Sequence, residues 1–220
     1  MPRQASGDTL DHSAYVQLKD MILNKRFESG KLIIQNQLTE LLGVSRTPLR
    51  KAMAELEMEG YLIRTPKGWY VKEFSLEDMI SVFELRAVLE GLACRLAVAN
   101  LERADFAYMR ALFQHAYEEL DAKGSGDYYA ADKKFHRLIV MKSDNAYVIK
   151  TVESFNIIET SLTQGLYRSP HETYLEHMEM ISALEAGDGD RAEELMRSHI
   201  RGAIDKLKAG IVSGSLEIFR

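Results

Sequence analysis

From Ser75 onward the apolar residues of this chain recur at three- and four-residue steps, which predicts helix after helix and no strand. Met79, Val82, Phe83, Leu89 and Ala93 share one face of the first of these helices. Ser75 with Asp78 three residues on makes a capping-box start, and the pattern runs to about Ala99. Further helices are predicted over roughly 102–122, 127–142, 145–166, 171–186 and 189–209. Breaks fall at Gly124-Ser125-Gly126, Ser143-Asp144-Asn145, Ser169-Pro170 and Gly187-Asp188-Gly189, with Asp188 placed to cap the last helix. Loops this short join antiparallel neighbours, so the expectation is an all-α antiparallel bundle of six helices.

Before Ser75 the pattern changes. Two short helical stretches meet at Gly43-Val44, and the second opens at Ser45, a residue able to cap free N–H groups, with Pro48 tolerated in the first turn. Leu49, Met53 and Leu56 lie on its inward face. Gly60 suits a helix end, and Tyr61-Leu62-Ile63 and Trp69-Tyr70-Val71 read as strands joined through Arg64-Thr65-Pro66-Lys67-Gly68. Helix, tight turn, helix and hairpin in that order form a winged helix-turn-helix, an α+β unit. Its second helix carries Arg46, Thr47 and Arg50 at the end that enters a major groove, where an arginine fork pairs with guanine or grips phosphate. The boundary near Glu73 to Ser75 divides the chain into 1–74 and 75–220.

Charge supports that division. The whole chain of 220 residues carries −5, yet residues 1–74 hold 11 Lys+Arg against 9 Asp+Glu for +2, leaving 17 against 24 for −7 beyond. An acidic total does not oppose DNA binding, because affinity depends on the few cations that face phosphate. With 46% hydrophobic residues the chain can bury a substantial core. Cys94 is the single cysteine, in an apolar helical run, so no internal disulfide can form and a reducing compartment fits. Neither an apolar signal core nor a membrane-length apolar run is present, which predicts a soluble cytoplasmic protein without a membrane partner. Residues 1–10 are polar and expected to be loose.

Histidines supply the bundle's chemistry. Asp132 and His136 stand four apart on a helical face shared with Tyr129, Ile139 and Val140, so both point inward. His177 between Tyr174 and Ile181, and His199 between Met196 and Ala203, point inward from two later helices. A buried carboxylate and three buried imidazoles cost several kcal/mol if unpartnered, and one divalent cation would satisfy all four. The competing account is three separate core histidines, each bonded to a carbonyl or hydroxyl. Arg86 interrupts the apolar face of Val82, Phe83, Leu89 and Ala93, where only an anion makes its burial tolerable. That anion is either a bound ligand or Glu90 at i+4.

Residues 15–64, YVQLKDMILNKRFESGKLIIQNQLTELLGVSRTPLRKAMAELEMEGYLIR, resemble the DNA-binding unit of the GntR family of bacterial transcription regulators, with its lead helix, its Gly30 turn and its SRTPLR signature. The resemblance implies that Arg46, Thr47 and Arg50 contact DNA, with Lys67 and Gly68 at the wing; Asn36 stands where the family often has a basic residue. Residues from about Ser75 to Leu207 resemble the FCD-type effector domain of that family's FadR branch, through DKKFH and LEHMEMISALEAGDGDRAEELMRSHI. This implies a metal set of Asp132, His136, His177 and His199 holding Zn²⁺, Ni²⁺ or Mn²⁺, and Arg86 in its FELRAVLE context holding a small carboxylate. Arg137 and Arg168 are weaker effector candidates, since either can simply be solvated.

The expected protein is therefore a transcription regulator, a repressor by the family's commoner habit. It would bind a palindromic double-stranded operator as a homodimer and answer a small carboxylate effector. No catalytic residue is identified. A metal-dependent hydrolase and a DNA-binding protein whose metal is purely structural are the readings from other classes.

Overall fold

The computed structural model describes residues 7–23, 26–27, 30–154, 157–161 and 165–216. The chain divides into two compact units, Met1–Phe74 and Ser75–Arg220.

The first unit orders as α1 (Gly7–Leu23), α2 (Gln35–Leu42), α3 (Arg46–Met58), β1 (Leu62–Thr65) and β2 (Gly68–Val71). Its core collects the apolar stripe of each element: Leu18 and Met21 from α1, Leu38 from α2, Leu49, Met53 and Leu56 from α3, and Leu62, Trp69 and Val71 from the hairpin. Helix α3 ends where the sequence supplies a glycine: Gly60 takes φ 81°, its N–H bonds Glu57 O, and Tyr61 N–H reaches back to Leu56 O at 2.9 Å. This double closure both stops the helix and aims the chain into β1. Ser45 stands at the N-cap position, but its hydroxyl accepts no cap hydrogen bond. The reason lies three residues on, where Pro48 occupies a position whose N–H such a cap commonly uses.

The strands are longer at the tip than their apolar residues suggest. They pair antiparallel from Leu62↔Val71 to Thr65↔Gly68, which leaves only Pro66 and Lys67 in the turn. Lys67 N–H bonds Thr65 Oγ1 at 3.1 Å, and Thr65 Oγ1 bonds Gly68 O at 3.2 Å, so a threonine hydroxyl ties the turn together. Residues 30–33 back the hairpin through Gly30 N–H to Val71 O at 3.0 Å and Ile33 N–H to Trp69 O at 2.7 Å.

The second unit is helical throughout: α4 (Leu76–Ala97), α5 (Arg103–Glu118), α6 (Leu120–Lys123), α7 (Gly126–Lys142), α8 (Ala146–Ser154), α9 (Ile157–Ser161), α10 (Pro170–Glu185) and α11 (Gly189–Ser213). Helix α4 packs along α11 and against α7 and α9, while α10 packs on α11 and α5. The caps read from sequence are present: Ser75 and Asp78 form a reciprocal box, and Asp188 Oδ1 accepts from Arg191 N–H at 3.0 Å. Two expected helices are shorter than their periodicity. The 102–122 stretch is interrupted at Glu119, where ψ opens to −3° and Ala122 N–H closes on Glu119 O only three residues back. The 145–166 stretch ends before Gly165, whose φ of 118° is outside helical space, and residues 155–156 and 162–164 within it lie outside the described residues. Among the described residues there are eight helical segments where six helices were expected, the division of α8 from α9 falling at residues 155–156.

Gly68 generates a stability test. Its φ is 137°, and a Cβ there would meet Leu32 Cδ1 at 2.8 Å. Gly68→Ala should cost the first unit about 1–3 kcal/mol in denaturant unfolding followed by fluorescence of Trp69, the single tryptophan.

Candidate metal centre and nucleic-acid interface

Gly43 closes α2 in the left-handed conformation at φ 64°, and this tight turn sets the N-terminus of α3 beside that of α2. Asn36, Arg46, Thr47 and Arg50 line one open groove of about 480 Å³ together with Ile34 and Gln35. All four of those polar side chains are exposed, while Leu49 and Met53 on the opposite face of α3 are fully buried. Arg46 Nη2 donates to Asn36 Oδ1 at 3.0 Å. Lys67 and Gly68 lie at the hairpin turn, outside this groove. Asn36 thus holds a recognition-helix arginine in place, a role its departure from the family's basic residue does not announce.

In the second unit, Asp132 and His136 come from α7, His177 from α10 and His199 from α11. All four are buried, and one ligand atom from each lies within 4.8 Å of the others. The rings are oriented from behind. His136 Nδ1 meets Glu90 Oε2 at 2.5 Å, His177 Nδ1 meets the Tyr128 hydroxyl at 3.1 Å, and His199 Nδ1 meets Glu176 Oε2 at 2.8 Å. With each Nδ1 engaged, each Nε2 is left for the centre. His177 Nε2 is shut from solvent without a hydrogen bond; Asp132 Oδ1 is 3.3 Å away, near enough to act as a charge but not aligned as an acceptor. A buried nitrogen lone pair with no donor facing it is what a cation would satisfy. Three imidazole nitrogens and one carboxylate oxygen suit Zn²⁺, Ni²⁺ or Mn²⁺ alike.

The electrostatics of the cluster follow from burial and near neighbours. Burial, reinforced by the charge of His199, lowers His177 to a pKa of about 3. Burial likewise lowers His199, with His136 adding to the effect. His136 goes the other way, because Glu90 and Asp132 outweigh its own desolvation and raise it. Asp132 is held well below the usual carboxylate range: burial opposes ionisation, and His136 and His177 overcome it.

Arg86 is 2% exposed and its fork is taken inside the chain. Nε donates to Glu90 Oε1 at 2.6 Å, Nη2 to Glu90 Oε2 at 3.3 Å, and Nη1 to Ser161 Oγ at 2.9 Å. Of the two partners the sequence allows, the i+4 carboxylate is therefore in place. Arg168 makes a second fork, Nη1 and Nη2 each 2.7 Å from a Glu176 oxygen. Each arginine thus reaches a histidine of the candidate metal cluster through one glutamate. Both also line the small pocket of about 30 Å³ that contains Asp132, His136 and His199. Arg137 is exposed and not part of that lining. Sequence reasoning missed Tyr128, Glu90 as a histidine partner, and Glu176. Tyr128 was detectable, since 128, 132 and 136 step by four along α7; Tyr129, expected on that face, is only half-buried.

Helix-turn-helix, basic hairpin and a helical bundle with a polar heart define a two-part DNA-binding regulator. The chain belongs to the GntR family: residues 10–71 match "Bacterial regulatory proteins, gntR family" and residues 81–202 match the FCD domain. It is 28% identical over 200 residues to the Nta operon transcriptional regulator of Aminobacter aminovorans, covering 90% of this chain and 95% of that one. It is 29% identical over 191 residues to a probable D-xylose utilization operon transcriptional repressor of Paenarthrobacter nicotinovorans, covering 84% of each. Among solved structures, E. coli McbR/YncC superposes with a TM-score of 0.73 at 22% identity, covering 92% of this chain and 98% of that chain. The Aminobacter and Paenarthrobacter relatives are named as transcriptional regulators, and this chain is a transcriptional regulator of the GntR family. No helix among the described residues is long and apolar enough to cross a membrane.

Glu90 is the test of the buried network. Glu90→Ala leaves Arg86 buried without its carboxylate and His136 Nδ1 without its acceptor, so unfolding free energy should fall by about 3–5 kcal/mol. Glu90→Gln keeps the shape and an acceptor, and should lose less than half of that in the same urea titration.

Proposed function

We propose that this chain is a cytoplasmic repressor that binds a palindromic operator as a homodimer and is controlled by a small carboxylate beside a divalent metal. Residues 1–74 read the DNA, and residues 75–220 bind the effector and dimerise. Asp132, His136, His177 and His199 hold the metal, which supplies a Lewis-acidic position for an anion when bound. The observation that carries the reading is one pocket bordered by three of these four residues and by Arg86 and Arg168. Repression is supported by the relative named as a repressor. Two-fold operators follow from a dimer that offers one α3 to each half-site.

In this scheme Arg46, Thr47 and Arg50 face base edges and phosphates of the major groove, Asn36 fixes Arg46, and the wing at Lys67 and Gly68 lies on the neighbouring backbone. Effector binding changes how α4, α7, α10 and α11 pack around the site. It thereby shifts the population of DNA-competent dimers, in proportion to its preference for one arrangement. Release of the operator is the expected direction.

For the DNA surface, Arg46→Ala and Arg50→Ala should each weaken specific operator binding by about 1–3 kcal/mol at constant salt, with the melting temperature unchanged. Asn36→Ala should weaken it by less, because it loosens Arg46 rather than removing the fork. Equal affinity of all three variants and the parent in a fluorescence-anisotropy titration would remove the major-groove assignment.

For the metal, added Zn²⁺, Ni²⁺ or Mn²⁺ should raise the melting temperature of the parent chain and not that of a His177→Ala, His199→Ala double variant. The pH dependence has a fixed sign. Each imidazole must be neutral to donate, and Glu90 and Asp132 raise the pKa of His136, so protons compete from above the ordinary histidine value of about 6.5 downward. The metal-induced rise should therefore be full near pH 8 and shrink steadily toward about pH 5. A rise that grows on acidification contradicts histidine ligation.

A further inference from the structure

The charges around the pocket are nearly all paired before any ligand arrives. Arg86 is matched by Glu90, at 2.6 Å from Nε. Arg168 is matched by Glu176 at 2.7 Å, and the flanking Glu172 by Lys206 at 3.1 Å. What remains is Asp132 among three imidazoles. A divalent cation over that single carboxylate leaves one positive charge, and neither arginine is available to add another without deserting its glutamate.

The space is also limited. The pocket is half open to solvent and its free volume is about 30 Å³, which accommodates about two water-sized groups. That is the size of the two oxygens of one carboxylate. The rest of the lining that would meet a ligand body carries no charge: it is apolar at Phe83, Leu166, Ile200 and Ala203, with the neutral hydroxyl groups of Tyr167 and Thr173 beside them.

Resting on the effector reading above, we infer that the ligand class is a monocarboxylate with a compact apolar body, and that di- and tricarboxylates are rejected. A first carboxylate neutralises the surplus charge. A second would be drawn from water against apolar side chains, neutral hydroxyl groups and cations already paired, and an anion desolvated without a cation is unfavourable. Arg168 and Glu176 are the specificity-determining pair: as long as they hold each other, the site has charge for one carboxylate only.

The test uses full-length, metal-loaded chain and isothermal calorimetry. Isobutyrate and methylmalonate share a skeleton and differ by one methyl exchanged for a carboxylate; propionate against succinate, and citrate alone, complete the set. Isobutyrate should bind at least about tenfold more tightly than methylmalonate, a difference of about 1.4 kcal/mol. Methylmalonate or succinate binding as well as its monocarboxylate counterpart, or citrate binding as well as isobutyrate, overturns the inference and leaves the effector reading standing. Failure of every acid to bind protein whose metal content has been verified overturns both. Glu176→Gln provides a second arm, since it keeps an acceptor for His199 Nδ1 while leaving the Arg168 charge only the looser contact with Glu172 at 3.5 Å. In that variant the preference should narrow or reverse toward methylmalonate, and an unchanged ratio in a variant that retains its metal overturns the pairing argument. If the variant loses its fold or metal, the acid series on the parent chain decides alone.

Discussion

A helical bundle that buries ionic groups must partner every one of them, and in this chain that constraint fixes four helices at once. Glu90, 0% exposed, is held by Arg86 from its own helix α4 and by His136 from α7. Glu176 on α10 is held by Arg168 and by His199 on α11. Tyr128 on α7 joins His177 on α10, and the same hydroxyl meets Thr173 at 3.0 Å. Sliding any of these helices by one turn would strand a charge in apolar surroundings, a cost of several kcal/mol that no equivalent slip in a purely aliphatic bundle incurs. The apolar core around them, with Phe113 stacked on His177 at a centroid distance of 4.1 Å, supplies driving force without register. The ionic cluster supplies the register. The two arginines offset the charges of Glu90 and Glu176 within that cluster.

The DNA-reading unit is organised by a different rule, because its functional groups must stay wet. Its core holds Leu, Met, Ile, Val, Trp and one Tyr, with no buried ion pair of the kind found in the bundle among its described residues. Arg46, Thr47 and Arg50 are exposed on the side of α3 away from that core. Exposure keeps guanidinium groups cheap to hold unpaired and ready to exchange water for phosphate or base edges, so specificity is gained at binding and not stored in the fold. The Asn36 to Arg46 bond is a small exception that restricts one fork in advance.

How much of this the sequence discloses depends on whether a contact is local. Capping at Ser75 and Asp188, helix exit at Gly60, the inward face of α3 and the three breaks that carry glycine or proline were legible because each is set by neighbours a few residues away. The inward direction of Asp132, His136, His177 and His199 was legible for the same reason, as a matter of periodicity. Their convergence was not readable from spacing; it was one of two readings offered by the cost of burying them unpartnered, and resemblance favoured it. Ser45 misled because its residue type favours a cap while Pro48 removes a usual donor. Arg86 illustrates the limit: periodicity placed it inside and offered Glu90 as partner, yet that Glu90 also serves His136, 46 residues away, is a tertiary fact. Glu176 was hidden likewise, half-buried between two solvent-facing glutamates and given meaning only by Arg168 and His199.

The two relays, arginine to glutamate to histidine, also decide how this site can communicate. An anion that attracts either guanidinium must weaken that arginine's hold on its glutamate, and the glutamate then turns more fully toward the histidine behind the metal position. A histidine whose Nδ1–H faces a freer carboxylate is a better donor through Nε2. In the proposed function, anion and cation affinities at this site are therefore linked, and linkage is reciprocal: whatever factor the anion contributes to metal retention, the metal returns to anion binding. Because Glu90 sits on α4 and Glu176 on α10, the linkage is borne by the same helices whose packing defines the bundle. In that proposal, occupancy of a small pocket is felt by long elements, which is the physical requirement for a bundle that reports on a ligand instead of merely containing it.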